Sequence, residues 1–421
     1  MMVLHKRRWL TAAVLIACVG ACAAPVAPPT PEPEEPAPTA PVADIQALAD
    51  GNNAFAVELY KKLAEAEKGN IIFSPYSIRT ALAMTYAGAR GQTAEEMRKT
   101  LHFTLPDERL HPAFGATTHQ LKGGKEKQYE LNVANALWGQ KGFPFRPEFL
   151  ALTKTNYGAG FREADFVADP ETAREAINRW VEEKTQDRIK ELLEKGTVTR
   201  DSRLVLVNAV YFKGQWEKPF NPQWTSEVPF RVTPDRTVPV QMMSQSGEFG
   251  YGETDDAQLL YLPYRASGES GLAMVIVLPK TVDGLPRLEA QLSGHQIQKW
   301  FGSIWNRNGD VSLPKLKVEQ KFSLERSLRD LGMPSSFNPG ANFLGVTPDG
   351  EFFIQGVIHQ AMAEIDEKGT VAAAATAVVG GVPVSAPAAP FRFRADHPFL
   401  FCIFAPRTGA VLFLGRFSVP R

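Results

Sequence analysis

The sequence predicts an α+β fold in one large body, and three observations support that class. Apolar residues recur along one stripe of an otherwise charged helix at Ile177, Trp180, Val181, Ile189, Leu192 and Leu193. Residues 203–212 are instead apolar on both alternating faces, which is typical of a strand buried on both sides of a sheet. After a Pro-rich segment at residues 23–43 no second linker occurs, so residues 44–421 are expected to form one body.

Local signals assign further elements of this body. Ser74 and Pro75 precede the apolar run 76–87, which predicts a capped helix with proline in its first turn. Residues 324–331 predict a short helix that ends at Gly332. Three more apolar runs predict buried strands at residues 272–278, 399–404 and 411–414. Helices are therefore expected to cluster early and strands late.

The N-terminus predicts export. Residues 1–22 combine a basic start, a short apolar core and two lipobox-like four-residue motifs, which end at Cys18 and Cys22. Either cysteine is a candidate for lipidation, because the first fits the leucine position better and the second gives a longer apolar core. The alternative is a secretory signal that carries no lipid. Residues 23–43 alternate Pro, Ala, Thr and Glu and predict a disordered spacer. We therefore expect an exported bacterial protein, at the cell surface or extracellular, with membrane contact only through a lipid.

Composition and motif searches argue against several functions. The chain carries 46 basic and 46 acidic residues, and this balance argues against general nucleic-acid binding. The sequence lacks a G-x-S-x-G elbow, an H-E-x-x-H motif and closely spaced histidines that would suggest a metal site. Cys402 lies in an apolar run, which is typical of a buried, inert thiol. We predict neither an enzyme nor a metal or cofactor site.

Four polar residues lie in surroundings that do not favour them. Asn208 is in the middle of the predicted buried strand, His359 is in an apolar run, and Ser74 and Ser77 begin an apolar helix. An unpaired buried amide costs about 1–3 kcal/mol. These side chains are therefore expected to have hydrogen-bond partners.

Residues 367–390 form the least usual stretch of the chain. After Lys368 no charged residue occurs before Arg392, and Ala, Val and Thr dominate. The β-branched residues favour a strand, whereas the Gly and Pro residues near the far end favour an exposed loop. The composition predicts a segment that can switch between exposure and burial in a sheet.

Several motifs together resemble those of the serpin family, over about residues 44–421. They are N-I-I-F-S-P-Y-S-I at 70–78, G-A-R-G-Q-T at 88–93, N-R-W-V at 178–181, L-V-N-A-V-Y-F-K-G-Q-W at 206–216, E-K-G-T with its alanines from 367, and F-R-A-D-H-P-F at 393–399. The resemblance implies three β-sheets, about nine helices and an exposed reactive-centre loop on a metastable fold.

The resemblance also assigns functional positions. It implies a "shutter" beneath the main sheet at Ser74, Ser77, Asn208 and His359. It implies a "breach" at the top of that sheet at Trp216 and Glu367. It implies a hinge formed by Glu367, Gly369, Thr370, Ala372, Ala373, Ala374 and Ala375.

By the same resemblance, the chain is expected to act as a monomer that inhibits serine proteases, or alternatively cysteine proteases. The protease cleaves the loop, and the hinge inserts into the main sheet before the acyl-enzyme is hydrolysed. Family spacing places the reactive bond after Pro383 or at Val384–Ser385, and we favour the latter because proline is a poor residue before a cut. A small aliphatic residue there suits elastase-like or subtilisin-like proteases. The alternative is a non-inhibitory member that acts as a binding or chaperone-like protein.

Overall fold

A computed structural model describes residues 38–122, 129–158, 160–265, 271–349, 352–369 and 389–420. The predicted signal peptide and most of the predicted spacer lie outside these residues. Within them the chain forms nine α-helices: α1 (Val42–Ala66), α2 (Pro75–Tyr86), α3 (Gly91–Thr100), α4 (Asp107–Lys122), α5 (Pro147–Tyr157), α6 (Pro170–Lys184), α7 (Leu285–Gln291), α8 (Gly294–Gly302) and α9 (Glu325–Leu331). Helix α1 begins inside the predicted spacer, so the folded body starts slightly earlier than residue 44.

Fourteen strands alternate with these helices in the described residues. They are β1 (Ile71–Phe73), β2 (Tyr129–Gln140), β3 (Phe161–Ala164), β4 (Leu204–Gly214), β5 (Ser226–Thr233), β6 (Arg236–Glu253), β7 (Ala257–Pro263), β8 (Ala273–Pro279), β9 (Trp305–Pro314), β10 (Leu316–Ser323), β11 (Val357–Ile365), β12 (Phe391–Arg394), β13 (Phe399–Ala405) and β14 (Ala410–Phe417). The α+β class is confirmed. The expected order of helices before strands is only partly right, because β1–β3 precede α6 and α7–α9 follow β8.

The smaller sheet has five strands in the order β10-β11-β4-β2-β3. Its central strand β4 and the neighbouring strand β11 are parallel, in register from Val357 beside Leu206 to Ala363 beside Phe212. We call this parallel pair the seam. No chain segment connects β4 directly to β11, so the two can separate without breaking a tight turn.

The larger sheet has nine strands, and the 18-residue strand β6 divides it into two arms. One arm continues from β6 through β7, β8, β13 and β14 to β1. The other arm contains β5, β9 and β12. Hydrogen bonding in the described residues therefore gives two sheets, and the three that the resemblance implies are recovered when the two arms are counted separately.

The predicted helical stripe that begins at Ile177 is only partly helical. Helix α6 ends at Lys184, and Gln186 and Asp187 adopt positive φ values of 52° and 59°. Ile189, Leu192 and Leu193 follow outside the helix, yet their side chains are buried in the same cluster as those of Ile177 and Val181. The prediction of a longer helix was wrong because the chain folds back and continues the apolar face without helical backbone.

The other predicted elements are confirmed. Ser74 caps α2 by accepting a hydrogen bond from the Ser77 N–H, with Pro75 in the first turn. Gly332 ends α9 with φ 120°. The four apolar runs coincide with β4, β8, β13 and β14, and Cys402 is buried in β13. Among the described residues, no helix is both long and apolar enough to cross a bilayer.

Candidate functional site at the seam

Three polar side chains occupy neighbouring positions on three adjacent strands in the middle of the five-stranded sheet. Asn135 in β2 is in register with Asn208 in β4, and Asn208 is in register with His359 in β11. Residues in register on adjacent strands point to the same face. The row therefore places three hydrogen-bonding groups side by side, with the seam between Asn208 and His359.

His359 connects this row to the start of α2. Its Nε2 accepts a hydrogen bond from the Ser74 N–H at 3.0 Å, and its Nδ1–H donates to the Asn208 Oδ1. This arrangement requires the neutral imidazole, protonated on Nδ1. Burial lowers the pKa of His359 from its ordinary value of 6.5 to about 3, which keeps the ring uncharged at neutral pH.

The amides and hydroxyls complete a closed network. Asn208 Nδ2 donates to Ser77 Oγ at 2.7 Å and to Asn135 Oδ1. The Ser77 hydroxyl donates to Asn135 Oδ1 at 2.9 Å, and Asn135 Nδ2 donates to the Ser77 carbonyl at 3.2 Å. The structure thus brings together all four polar residues predicted from the sequence, and it adds Asn135. We call these five residues the shutter cluster: Ser74, Ser77, Asn135, Asn208 and His359.

The hydrogen bond between His359 and Asn208 crosses the seam. A strand that entered between β4 and β11 would have to break it. The shutter cluster therefore stabilises the closed five-stranded sheet with a contact that burial strengthens.

Trp216 lies just beyond the end of β4. It is the main contact at the C-terminal end of the two seam strands, which we call the top or upper end of the seam. Its side chain is 1% exposed and stacks on Tyr264, with ring centroids 4.5 Å apart. Its indole N–H donates to the Asp366 carbonyl at 3.1 Å, and its backbone N–H donates to the Lys368 carbonyl at 3.1 Å. One tryptophan therefore holds the chain where it leaves β11.

Glu367 joins the same contact through its carboxylate. Its Oε1 accepts hydrogen bonds from Lys315 Nζ and from the Thr225 hydroxyl, each at 2.7 Å, and its carbonyl accepts from the Phe220 N–H at 2.7 Å. Burial acts to raise the pKa of this carboxyl, but the hydrogen bonds from Lys315 and Thr225 outweigh it and leave the pKa below its ordinary value. The structure thus places both predicted breach residues, Trp216 and Glu367, at the upper end of the seam.

Residues 366–369, which we call the hinge turn, reverse the chain direction. Asp366 and Gly369 form an isolated antiparallel bridge and exchange two backbone hydrogen bonds. Gly369 has φ +93°, and a Cβ there would lie 2.3 Å from the Trp216 nitrogen. Only glycine satisfies both the backbone conformation and the close approach.

The remaining predicted residues lie outside the described part of the chain. These are the hinge residues Thr370, Ala372, Ala373, Ala374 and Ala375, the reactive-bond residues Pro383, Val384 and Ser385, and the lipidation candidates Cys18 and Cys22. The described chain stops at Gly369, at the end of the five-stranded sheet, and resumes at Ala389 before β12 of the other sheet.

Aromatic packing holds the chain at the start of β12, where the described residues resume. Phe391, the first residue of β12, stacks on Tyr251 with ring centroids 3.9 Å apart and planes 7° apart. It also packs against Gly309 of β9, where a Cβ would lie 2.4 Å from the Phe391 ring. The described residues on either side of 370–388 are therefore held by contacts with Trp216 at one end and with Tyr251 at the other.

Asn135 is the member of the shutter cluster that the sequence did not predict. Its signal was an asparagine between two alanines, Ala134 and Ala136, in a strand of mixed polarity. No cluster of His, Cys, Asp and Glu suited to a metal ion occurs among the residues that the structure covers.

Comparisons with known proteins agree with this geometry. The family model described as "Serpin (serine protease inhibitor)" matches residues 50–420. The leukocyte elastase inhibitors of Xenopus laevis and Homo sapiens are each 39% identical, over 384 and 386 residues, and each match covers 89% of this chain and all of the relative. An uncharacterized serpin-like protein of Thermococcus kodakarensis is 40% identical over 372 residues, which cover 88% of this chain and 85% of that protein.

Solved structures give the same result. Uncleaved ovalbumin superposes with a TM-score of 0.79 at 34% identity and covers 89% of this chain and all of its own. Maspin superposes with a TM-score of 0.80 at 31% identity and covers 90% of this chain and all of its own.

Proposed function

The chain belongs to the serpin family, and on that premise we propose that it inhibits serine proteases as a suicide substrate. The observation that carries the proposal is the closed parallel seam with an antiparallel hinge turn at its top. A parallel pair can admit a strand that runs antiparallel to both neighbours, and the hinge turn already points the chain in that direction.

We take the register of the proposed insertion from the hinge turn. If the bridge between Asp366 and Gly369 extends down β11, Ile365 pairs with Thr370, Ala363 with Ala372 and His359 with Thr376. Paired residues share a face. On β11 the core-facing residues are Val357, His359, Ala361, Ala363 and Ile365. In the inserted state that we propose, the residues facing the core are therefore Thr370, Ala372, Ala374, Thr376 and Val378, none of which is charged or bulky.

Insertion has an identifiable cost and gain at the shutter cluster. It breaks the hydrogen bond between His359 and Asn208, which crosses the seam. In the inserted state that we propose, the Thr376 hydroxyl would lie beside His359. A hydroxyl can accept from the His359 Nδ1–H and donate to the side-chain Oδ1 of Asn208. The new strand adds hydrogen bonds along about fifteen residues at roughly 0.5–1.5 kcal/mol each. The proposal requires that these bonds and the burial of the new strand's side chains together exceed the entropy cost of ordering the loop, so that the inserted state is lower in free energy.

The proposed target is an elastase-like or subtilisin-like protease that cleaves Val384–Ser385. A small aliphatic residue before the cut suits their shallow pockets and lacks the charge that trypsin-like pockets bind. Relatives named leukocyte elastase inhibitor support this preference.

The test is to incubate the chain with elastase, subtilisin and trypsin and to look for complexes that survive boiling in SDS. We expect complexes with the first two, and mass spectrometry should find the acyl fragment ending at Val384. The variant Thr370→Arg should be cleaved without forming a complex, because insertion would bury its charge in the core. Thr370→Ser is the matched control and should inhibit like the parent.

Two results would contradict the proposal. One is inhibition confined to trypsin, and the other is full inhibition by Thr370→Arg. Cleavage without any complex would instead favour the alternative of a non-inhibitory binding protein.

We also propose that the chain is exported and lipidated at Cys18 or Cys22. The sequence of residues 1–22 supports this, and the family match begins only at residue 50. Labelling with a palmitate analogue in a bacterial host should modify the parent, and replacement of both cysteines by serine should abolish the label. Equal labelling of parent and variant would contradict the proposal.

A further inference from the structure

A cavity of about 240 Å³ opens on the surface beside the hinge turn. Its walls come from the segment that follows β4 and from β6, β7 and β9. We call it the rim cavity. The lining residues that matter here are Trp216, Glu217, Lys218, Glu248, Phe249 and Asn306.

The rim cavity lies between the two anchors of the proposed reactive-centre loop. One wall is Trp216, which holds the hinge turn where the loop departs. Another wall includes Asn306, which pairs with Gly250 of β6. The next residue of β6 is Tyr251, which stacks on Phe391 where the loop returns. A protease bound to the loop is therefore held close to this cavity.

The chemistry of the cavity combines an apolar floor with an acidic rim. Trp216 and Phe249 are buried at its base, and Glu217 and Glu248 are exposed at its edge. Within the described residues neither carboxylate forms an ion pair. Trp305, beside Asn306, is 71% exposed, the most exposed aromatic side chain that the structure describes. Tryptophan is enriched among the residues that dominate binding energy at protein interfaces.

The neighbouring cations do not neutralise this rim. The Lys218 ammonium donates to the backbone carbonyl of Glu248 at 2.9 Å and leaves that residue's carboxylate free. The Arg307 guanidinium lies over the Tyr251 ring, 5.2 Å from its centroid. The rim of the cavity therefore carries one ammonium group and two carboxylates without an ion-pair partner in the described part of the chain.

From these contacts we infer that the rim cavity is a second docking site for the target protease and that it accepts a lysine or arginine side chain from the protease surface. The aliphatic stem of such a side chain packs on Phe249 and Trp216, and its charged head is attracted to Glu217 and Glu248. Trp305 covers the neighbouring part of the partner. This inference rests on the proposed inhibitory function and adds a determinant of which protease is inhibited fastest.

The test compares association rate constants for two proteases of opposite charge, an elastase of high isoelectric point and a subtilisin of low isoelectric point. The variants are Glu217→Gln combined with Glu248→Gln, Trp305→Ala, and Lys218→Gln. Glu183→Gln, an exposed residue on α6 of the other sheet, is the remote control. Rim charges act mainly on the association rate and its salt dependence.

With the basic elastase, we expect the double glutamate variant to associate about tenfold more slowly, Trp305→Ala several-fold more slowly, and Lys218→Gln several-fold faster. Stoichiometry of inhibition should not change, and the control should match the parent. With the acidic subtilisin the double glutamate variant should associate no more slowly than the parent. Rates within twofold of the parent for both charge variants with the elastase would overturn the inference.

Failure of the proposed function gives a different result. If the parent forms no covalent complex, the same variants are measured for reversible binding to elastase whose catalytic serine is replaced by alanine. Tenfold weaker binding by the double glutamate variant would then still support the docking site, and equal binding would overturn it.

Discussion

The centre of the seam and its upper end are closed by different chemistry. At the centre, the shutter cluster joins β4 to β11 through uncharged, buried groups such as Asn208 and His359. At the upper end, Glu367 is paired with Lys315, whose side chain is 39% exposed. Water and salt weaken an exposed ion pair but scarcely reach a buried hydrogen bond. We therefore expect the strands to separate from the top, and the centre to set how much free energy complete opening requires.

The largest effect is expected from His359→Ala. The change leaves the Ser74 N–H and the Asn208 oxygen without partners in a buried site, so it should lower the free energy of unfolding by about 3 kcal/mol. Urea unfolding monitored by tryptophan fluorescence measures this. His295→Ala, an exposed histidine on α8, is the control and should change little. Equal decreases in the free energy of unfolding for the two variants would show that the shutter cluster does not stabilise the seam.

Gly369→Ala should have the next largest effect, because it strains the hinge turn. Alanine at φ +93° is strained, and its Cβ would press on the Trp216 backbone, which together should cost about 1–3 kcal/mol. Gly302→Ala is the matched control, since its Cβ meets no atom within 4 Å. The variant should also inhibit more slowly than the parent. If both glycine variants unfold alike, the close approach to Trp216 does not matter.

The centre of the seam should respond to mild acid. The pKa of His359 is depressed to about 3 in the folded state, against an ordinary value of 6.5. Its contribution to stability is therefore fully present above pH 6.5 and is lost progressively as the pH falls toward 3, at up to about 1.4 kcal/mol per pH unit. Between pH 7 and 5.5 the parent should lose about 1 kcal/mol more than His359→Gln. Parallel pH profiles would contradict a neutral, buried imidazole.

The top of the seam should respond only to stronger acid, and by less. The folded pKa of Glu367 lies below its ordinary value, so its contribution is present above the ordinary glutamate pKa and falls as the pH drops through the folded value. Parent and Glu367→Gln should therefore have pH profiles of the same shape down to about pH 5 and diverge only below it. If the two profiles diverge already at pH 6, a group other than the Glu367 carboxylate must determine how the stability of the top of the seam depends on pH.

The sequence predicted the seam residues better than it predicted their arrangement. Asn208 and His359 were recognisable because an uncompensated polar group in an apolar strand is costly. Asn135 was missed because the register that aligns it with Asn208 depends on how two strands distant in sequence pair. The sequence of one strand does not by itself determine how that strand aligns with its neighbour in the sheet.

Two other differences have the same origin in tertiary structure. Apolar periodicity continued past Lys184 because Ile189, Leu192 and Leu193 return to the same core by a loop. The two arms of the larger sheet are joined because β6 is long enough to pair with β7 at one end and with β5 at the other. Neither the loop nor the shared strand has a local signature in the sequence.

The central claim is that the native chain is kept above a deeper free-energy minimum by the closed seam. Thermal melting before and after a single cut in the segment between Gly369 and Ala389 tests it most directly. We predict that the cut chain, with its hinge inserted between β4 and β11, melts on the order of tens of degrees higher than the intact chain. Identical melting temperatures for the cut and intact chains would contradict it.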